Sequence, residues 1–274
     1  MLEIRKTPAV DTSYEPQYVY QLALNHFQLL LRRYSCGDSI VELRSHFSPV
    51  LDAWEEAERL GAAVWSAEVQ HSRHAWRVNL DQYIYCFWLT GLALSLNIAE
   101  PDWQRLLKLM GNEGEDALLD RVIASRQPGR KIGTTLCHPK PYHRLLDALL
   151  APVSEQPTLL HGFVSHWYAE LDRPPKKGLA RITAMYDRPY WYEYANIEGA
   201  YFGFWCIEAV AAVKAFGMDD SLCLGLPNYP GDLLRPQGPS THKHVGAVAS
   251  QAQIVNTPKQ SLGERLRSSF FSSK

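Results

Sequence analysis

Apolar residues recur at helical spacing in the first part of the chain. Five of them, separated by three or four positions, form one stripe: Tyr20, Leu24, Phe27, Leu31 and Tyr34. A second stripe runs over residues 40–54. This spacing places side chains on one face of a helix and therefore predicts two amphipathic helices. Pro49 interrupts the second stripe and predicts a kink, or a new helix with Ser48 as its N-cap.

Local signals predict how the helices begin and end. Gly37 follows the first stripe at a position typical of a helix C-terminus, and Gly217 does so later in the chain. Ser39 and Glu42 have the spacing of a capping box, in which the two side chains close the start of a helix. The sequence Tyr229–Asp232 has Pro and then Gly at its centre and predicts a type II turn.

The two most apolar runs, residues 83–98 and 199–218, predict buried helices. The first is shorter than a membrane span, and the second carries Glu208 and Lys214. Further helical patterns cover residues 102–110, 113–126, 142–150, 156–171, 179–186 and 190–216. No stretch alternates apolar and polar residues as a half-buried strand does. The sequence therefore predicts an all-α protein with a multi-helix, bundle-like architecture.

Residues 127–140 are the best candidate for a linker, because these fourteen residues include two prolines and two glycines. We therefore expect two consecutive helical parts, at residues 1–130 and 131–235. Residues 236–274 are rich in Ser, Gln, Thr, Gly and Pro and predict a flexible tail. A short apolar pattern near its end leaves open a helix that docks on the body or on a partner.

Charge and cysteine content favour a cytoplasmic protein over one that binds nucleic acid or a membrane. The formal net charge is −1, and the tail has five Lys or Arg against one Asp or Glu, so the body is acidic. Residues 1–14 contain no apolar signal-peptide core. The five cysteines are odd in number, widely spaced and without a CxxC pair, as is typical of a reducing compartment.

No common catalytic motif is present: the sequence lacks GxSxG, GxxxxGK[ST], GxGxxG and HExxH patterns. Glu68, His71 and His74 come nearest to a metal site, but a di-iron bundle needs a second Glu-x-x-His pair that the chain lacks. We therefore expect no catalytic residue, no metal and no cofactor. Glu208 lies among apolar residues and is expected to accept a hydrogen bond from a buried donor, with a functional acid as the alternative.

Residues 186–205 are the most aromatic part of the chain, with nine Tyr, Trp or Phe in twenty positions. Those at helical spacing are expected to pack in the core. Four nearly consecutive aromatic residues cannot all face one core, so we expect part of this set to contact a partner: Tyr190, Trp191, Tyr192 and Tyr194.

Several segments together resemble a known family. In chain order they are Phe27–Leu43, Gly114–Leu119, Tyr190–Trp191, Phe204–Ala209, Phe216–Ser221 and Tyr229–Leu233. They resemble the PoNi-type immunity proteins, which protect bacteria against PoNe polymorphic DNase toxins, and the first resembles that family's ARYSAGxxxxEL pattern. The likeness spans roughly residues 15–235. The tail beyond Arg235 is outside it, and Asn228 and Gly231 depart from the family's pattern.

The resemblance implies a chain without catalytic residues that binds a cognate nuclease toxin. Because a cleft that receives DNA is basic or metal-loaded, acidic groups are the expected contacts. The acidic candidates form two groups, Glu55, Glu56 and Glu58, and separately Asp219, Asp220 and Asp232. Each group has a structural alternative, a solvated helix face for the first and a helix-end turn for the second.

Other functions stay open at this point. The chain is equally compatible with binding the toxin away from its active site. A helical adaptor or a loading chaperone for a secreted effector is the main alternative function. A metal-dependent enzyme that uses Glu68, His71 and His74 is a third. The sequence does not fix the oligomeric state.

Overall fold

The computed structural model describes residues 12–172, 188–192 and 202–242, and every regular element in these ranges is helical. The α-helices are α1 (Glu15–Ser35), α2 (Ile40–Leu43), α3 (Ser48–Val64), α4 (Ala67–His74), α5 (Leu80–Ser95), α6 (Glu100–Met110), α7 (Leu119–Ala124), α8 (Pro139–Leu150), α9 (Gln156–Glu170) and α10 (Ile207–Phe216). Short 3-10 helices lie at Thr12–Tyr14, Arg44–His46, Ser221–Cys223 and Gly231–Leu234. The predicted all-α class is confirmed. Within the described ranges, no helix has the length and apolar character needed to cross a membrane.

Helices α5 and α10 pack against each other at the centre of the core. All but two of the sixteen residues of α5 are buried, and α10 is buried continuously from Ile207 to Val213. The two helices approach closely at Gly91, where an added Cβ would lie 2.8 Å from Ile207 Cγ2 and 3.0 Å from Ala211 Cβ. Helices that are apolar on all sides must be covered by others, which explains the layered arrangement around this pair.

The outer helices bury one face each. Helix α1 packs against α3, α3 against α6, and α8 against α9. The predicted stripe of α1 faces the core, with Phe27, Leu31 and Tyr34 buried. Helix α3 starts at Ser48 with Pro49 in its first turn, so the new helix predicted at this proline is confirmed. The prediction of Ser48 as its N-cap is wrong, because Phe47 holds that position.

Two buried carboxylates organise the connection between α6 and α8. Asp116 accepts hydrogen bonds from Tyr83 Oη and from three backbone N–H groups. Asp120 pairs with Arg130, with 2.7 Å between Oδ1 and Nε. These contacts hold residues 127–140, the predicted linker, against the core. All described residues belong to one compact unit, and the division of the body at residue 130 stays a prediction.

The first residues of the predicted tail also contact the body. The backbone and side chain of Thr241 and the hydroxyl of Ser240 donate hydrogen bonds to Asp232. His242 Nε2 lies 3.0 Å from Tyr34 Oη. Residues 243–274, like the predicted helix at 179–186, lie outside the described residues.

Several local predictions are wrong, although Gly37 and Gly217 do end helices with φ of 85° and 65°. The helix predicted over residues 113–126 covers only Leu119–Ala124, because residues 113–118 lie in turns, bends and irregular backbone. Residues 190–192 form a turn and residues 202–206 have no regular structure, so the predicted helix 190–216 begins only at Ile207. The side chain of Ser39 makes no capping hydrogen bond. Gly231 opens a 3-10 helix and lacks the positive φ of a type II turn; it is required because an added Cβ would lie 2.7 Å from Thr241 Oγ1.

Candidate functional site

Asp220, from the second acidic group, faces inward. The residue is only 6% exposed. Both nitrogens of the Arg235 fork donate to its two oxygens, and Tyr229 Oη donates to Oδ2 at 2.6 Å. Bidentate pairing with arginine is a strong and geometrically specific interaction. This arrangement, which we call the Asp220 cluster, joins the Ser221–Cys223 and Gly231–Leu234 turns to each other.

The other two members of that group differ in exposure. Asp232 is half-buried, and the hydrogen bonds from Thr241 and Ser240 outweigh its partial burial and hold its pKa below the ordinary value. Asp219 is exposed and accepts a hydrogen bond from the Ser221 N–H at 2.9 Å, which lowers its pKa. Only Asp219 therefore presents a fully exposed carboxylate at this turn.

Glu55, from the first acidic group, belongs to a cluster between α3 and α6. Arg105 Nε and Nη2 donate to its two oxygens at 3.0 and 2.8 Å. The same guanidinium pairs with Asp52 at 2.6 Å and Asp102 at 2.9 Å. Hydrogen bonds from Arg105, helped by nearby Lys108, hold the pKa of Glu55 below its ordinary value. We call these three carboxylates and their arginine the Arg105 cluster.

Glu56 and Glu58 point to other neighbours. Glu56 accepts two hydrogen bonds from Arg59, at 2.7 and 2.8 Å, on the same helix. Glu58 accepts from Trp54 Nε1 at 3.1 Å and lies 3.0 Å from His74 Nε2. The three neighbouring acids therefore do not form one negative surface, because their carboxylates face different neighbours: Arg105, Arg59, and the pair Trp54 and His74.

The aromatic candidates, residues 190–194, also differ in their exposure and in their neighbours. Trp191 is 5% exposed and packs against two tryptophans of α5 and α9, at 5.1 and 6.3 Å between ring centroids. The ring of Tyr192 stacks on Tyr168 at 4.3 Å and 4°. Tyr190 is 48% exposed. Tyr194 lies outside the described residues, so Tyr190 is the most exposed member of the set among the described residues.

Tyr190 stands on the rim of a cavity of about 330 Å³ between α1, the end of α4, α5 and the 188–192 turn. Its backbone N–H donates to Asp81 Oδ1 at 3.0 Å, and its hydroxyl accepts from Gln28 Nε2 at 2.7 Å. Burial raises the pKa of Asp81 to about 7, although the Tyr190 N–H opposes this shift. The sequence pattern did not single out Asp81 or predict the cavity. The available signal was a carboxylate at the start of an all-apolar helix.

The opposite wall of the cavity carries Arg73 and His74. Arg73 lies over the Trp65 ring at 3.9 Å and donates to Gln17 at 2.7 Å. His74 connects the cavity lining to Glu58, because its Nε2 lies 3.0 Å from the Glu58 carboxylate. The cavity therefore brings Tyr190 and Glu58, candidates from two separate parts of the sequence, to the same region of the surface.

The nearest approach to a metal site in the sequence is not assembled in the structure. Glu68, His71 and His74 share α4, but His74 is paired with Glu58. Across the ranges that can be described, no group of three His, Cys, Asp or Glu side chains is arranged to hold a metal ion.

Glu208 has the buried donors expected for it. Its Oε1 accepts from Tyr142 Oη at 3.0 Å and from Trp167 Nε1 at 3.3 Å. Complete burial raises the pKa of Glu208 to about 7, and these hydrogen bonds only partly oppose that shift. The carboxyl group therefore joins α8, α9 and α10 inside the core.

Two family models match the chain in consecutive order. The model described as PoNe immunity protein (PoNi), N-terminal, matches residues 4–108, and the model described as PoNe immunity proteins (PoNi), C-terminal, matches residues 114–233. The chain belongs to the PoNe immunity protein family. The two matches meet near residue 110, within the α6–α7 connection and upstream of the boundary predicted from composition.

Structural comparison supports the fold of this family member independently. Protein PA2201 from Pseudomonas aeruginosa, known from a crystal structure, is similar with a TM-score of 0.61 and 21% sequence identity. The similarity covers 84% of this chain and 79% of that chain. At this identity the likeness concerns the fold alone. A search of curated proteins found no match.

Proposed function

We propose that this chain binds a cognate antibacterial DNase toxin and neutralises it by direct protein–protein contact, without catalysing a reaction. The observation that carries the proposal is the family match over residues 4–108 and 114–233. The family is named for its pairing with PoNe toxins. A cytoplasmic site of action is consistent with five unpaired cysteines.

The proposed contact is the face around the cavity. Tyr190 supplies an exposed aromatic ring, and Glu58 and Asp81 supply carboxylates on two sides of the same region. Aromatic anchors and complementary charge are the usual sources of affinity and association rate at such interfaces. This grouping supports the cavity face over the Asp220 cluster, whose main carboxylate is already neutralised inside the protein.

The Arg105 cluster is proposed as a second acidic area that attracts the toxin before contact. The side chains of Asp52 and Glu55 are 57% and 43% exposed. Three carboxylates share one guanidinium, with Lys108 nearby, so the cluster keeps a negative excess. Charge of this kind raises association rates more than it raises final affinity.

Co-expression with the toxin encoded by the neighbouring gene tests the function. Cells that produce both proteins should survive with intact DNA, the pair should co-purify, and purified chain should suppress DNA cleavage by the toxin. Cell death despite soluble immunity protein would contradict the proposal. A stable complex in which the toxin still cleaves DNA would instead support an adaptor or loading chaperone.

A further inference from the structure

The carboxylate of Asp81 is held in an unusual position. It lies on the wall of the 330 Å³ cavity, where one oxygen, Oδ1, accepts the Tyr190 N–H. The other oxygen accepts no hydrogen bond within the described part of the chain. A carboxylate partly removed from water is more stable when a hydrogen-bond donor or a cation compensates it. The second oxygen therefore suits a positively charged or donating group, which the described lining of the cavity does not supply.

The cations in the described part of the chain do not fill this role. No ion pair of Asp81 occurs among the described residues. Arg73, the guanidinium on the cavity wall, is engaged by the Trp65 ring and Gln17. His74 is engaged by Glu58. In agreement, burial raises the pKa of Asp81 to about 7, with only the Tyr190 N–H opposing it and no nearby cation contributing.

The remaining walls of the cavity suit both the apolar stem and the cationic group of a lysine or arginine side chain. The floor is aromatic and buried, formed by Phe27, Tyr85, Trp88 and Trp191, whereas Tyr190 on the rim is exposed. Aromatic faces attract ammonium and guanidinium groups, and they also cover the apolar stem of lysine or arginine. The cavity lies at the small end of the volumes typical of ligand pockets, which suits a side chain rather than a large cofactor.

We propose that this cavity is the anchor pocket for one lysine or arginine side chain of the toxin, whose cationic group pairs with the free oxygen of Asp81. The inference rests on the proposed function, because the partner is the toxin that the chain neutralises. A nuclease that binds DNA carries basic side chains on its substrate surface, so inserting one of them here would also withdraw it from the DNA phosphates.

Substitution Asp81→Asn tests the pocket. Asparagine keeps the shape and the carbonyl oxygen that accepts the Tyr190 N–H, so only the charge is lost. We expect affinity for the toxin to fall about tenfold or more, with most of the change in the dissociation rate. The matched control is Asp147→Asn, which removes an exposed carboxylate on α8 and should leave affinity within about twofold.

Double-mutant cycles then identify the inserted side chain. Each Lys or Arg of the toxin is replaced by Ala and measured against both the wild-type chain and Asp81→Asn. One toxin residue should lose most of its contribution when Asp81 is already neutralised. Equal toxin affinity of wild type and Asp81→Asn would overturn the pocket and leave the immunity function standing. A wild-type chain that does not bind the toxin would overturn both.

The size of the ligand is tested separately. Titration with spermidine would reveal a free organic cation as the occupant. Binding of spermidine to wild type but not to Asp81→Asn, together with an unchanged toxin affinity of the variant, would overturn the proposed toxin anchor.

Discussion

The Asp220 cluster and the Arg105 cluster share one chemistry, carboxylates around an arginine, but differ in burial. Asp220 is 6% exposed, whereas the side chains of Asp52 and Glu55 are 57% and 43% exposed. Removing one partner of a buried pair leaves an uncompensated charge, but an exposed partner is replaced by water. The first cluster therefore stabilises the fold, and the second is available to act on another molecule.

The largest expected effect is a loss of folding stability when the Asp220 cluster is broken. Asp220→Ala should lower the free energy of unfolding by about 3 kcal/mol, because Arg235 and the buried Tyr229 hydroxyl both lose their acceptor. Asp52→Ala should lower it by less than about 1 kcal/mol. Urea unfolding of both variants measures the difference, and equal losses would remove the distinction between the clusters.

Glu208 extends the comparison to a buried carboxyl group with neutral donors. Because its pKa is raised to about 7 in the folded protein, its contribution to stability is present at low pH and is lost as the pH rises through 7. Asp81 shifts in the same direction. We expect Glu208→Gln to reduce the fall in unfolding free energy between pH 5 and 8 by about 2 kcal/mol.

Thermal or urea unfolding at several pH values measures this pH dependence of the unfolding free energy. Asp81→Asn should remove a further part of the fall in unfolding free energy with rising pH. The described groups that face Glu208 are Tyr142, Trp167, Trp88 and Cys206. Unchanged pH dependence in Glu208→Gln would show that this carboxyl group does not titrate in the range.

A smaller effect is expected at the exposed Arg105 cluster, where a substitution should change the rate of association with the toxin. Glu55→Lys should slow association with the toxin about tenfold at low salt, with much less effect at high salt, because exposed charges act over the Debye length. Its unfolding free energy should change little. Stopped-flow association at two ionic strengths makes the measurement, and Lys108→Glu, the opposite change on α6, should accelerate association.

The smallest effect is expected at Asp219, the exposed neighbour of the inward-facing cluster. Asp219→Asn should change toxin affinity by less than about 0.5 kcal/mol, since a single exposed charge contributes little. Calorimetric titration measures it. A loss comparable with that of Asp81→Asn would move the proposed contact from the cavity to the turn that carries Asp219.

Much of the fold was accessible from the sequence because its helices carry strong periodic signals. The apolar run of α5 and the stripe of α1 each predict one element within a few residues. The second stripe, over residues 40–54, instead spans α2, a 3-10 helix and the first turns of α3. The predicted helix 190–216 failed where local backbone geometry prevailed: Gly203 has φ of 88°, and an added Cβ there would clash with the Trp205 ring. Neither feature is visible in a hydrophobic pattern.

The candidate site was less accessible, because its parts meet only in three dimensions. Asp81 and Tyr190 are separated by more than one hundred positions, and their contact runs through a backbone N–H that no sequence motif marks. Likewise, Asp220 and Asp219 are adjacent in sequence, but one is buried and the other exposed. Recognising acidic residues was possible; assigning their partners required the packing.

The close contact at Gly91 has a consequence for how such a protein can change over time. Helix α5 lies in the stretch matched by the N-terminal family model and α10 in the stretch matched by the C-terminal one, yet they share one core. If a gene exchanged only one of these stretches with a relative, its product would pack an α5 and an α10 whose contact surfaces do not match. We therefore expect the two stretches to be inherited together, and chimeras divided near residue 110 to recover solubility only when positions 91, 207 and 211 come from the same parent.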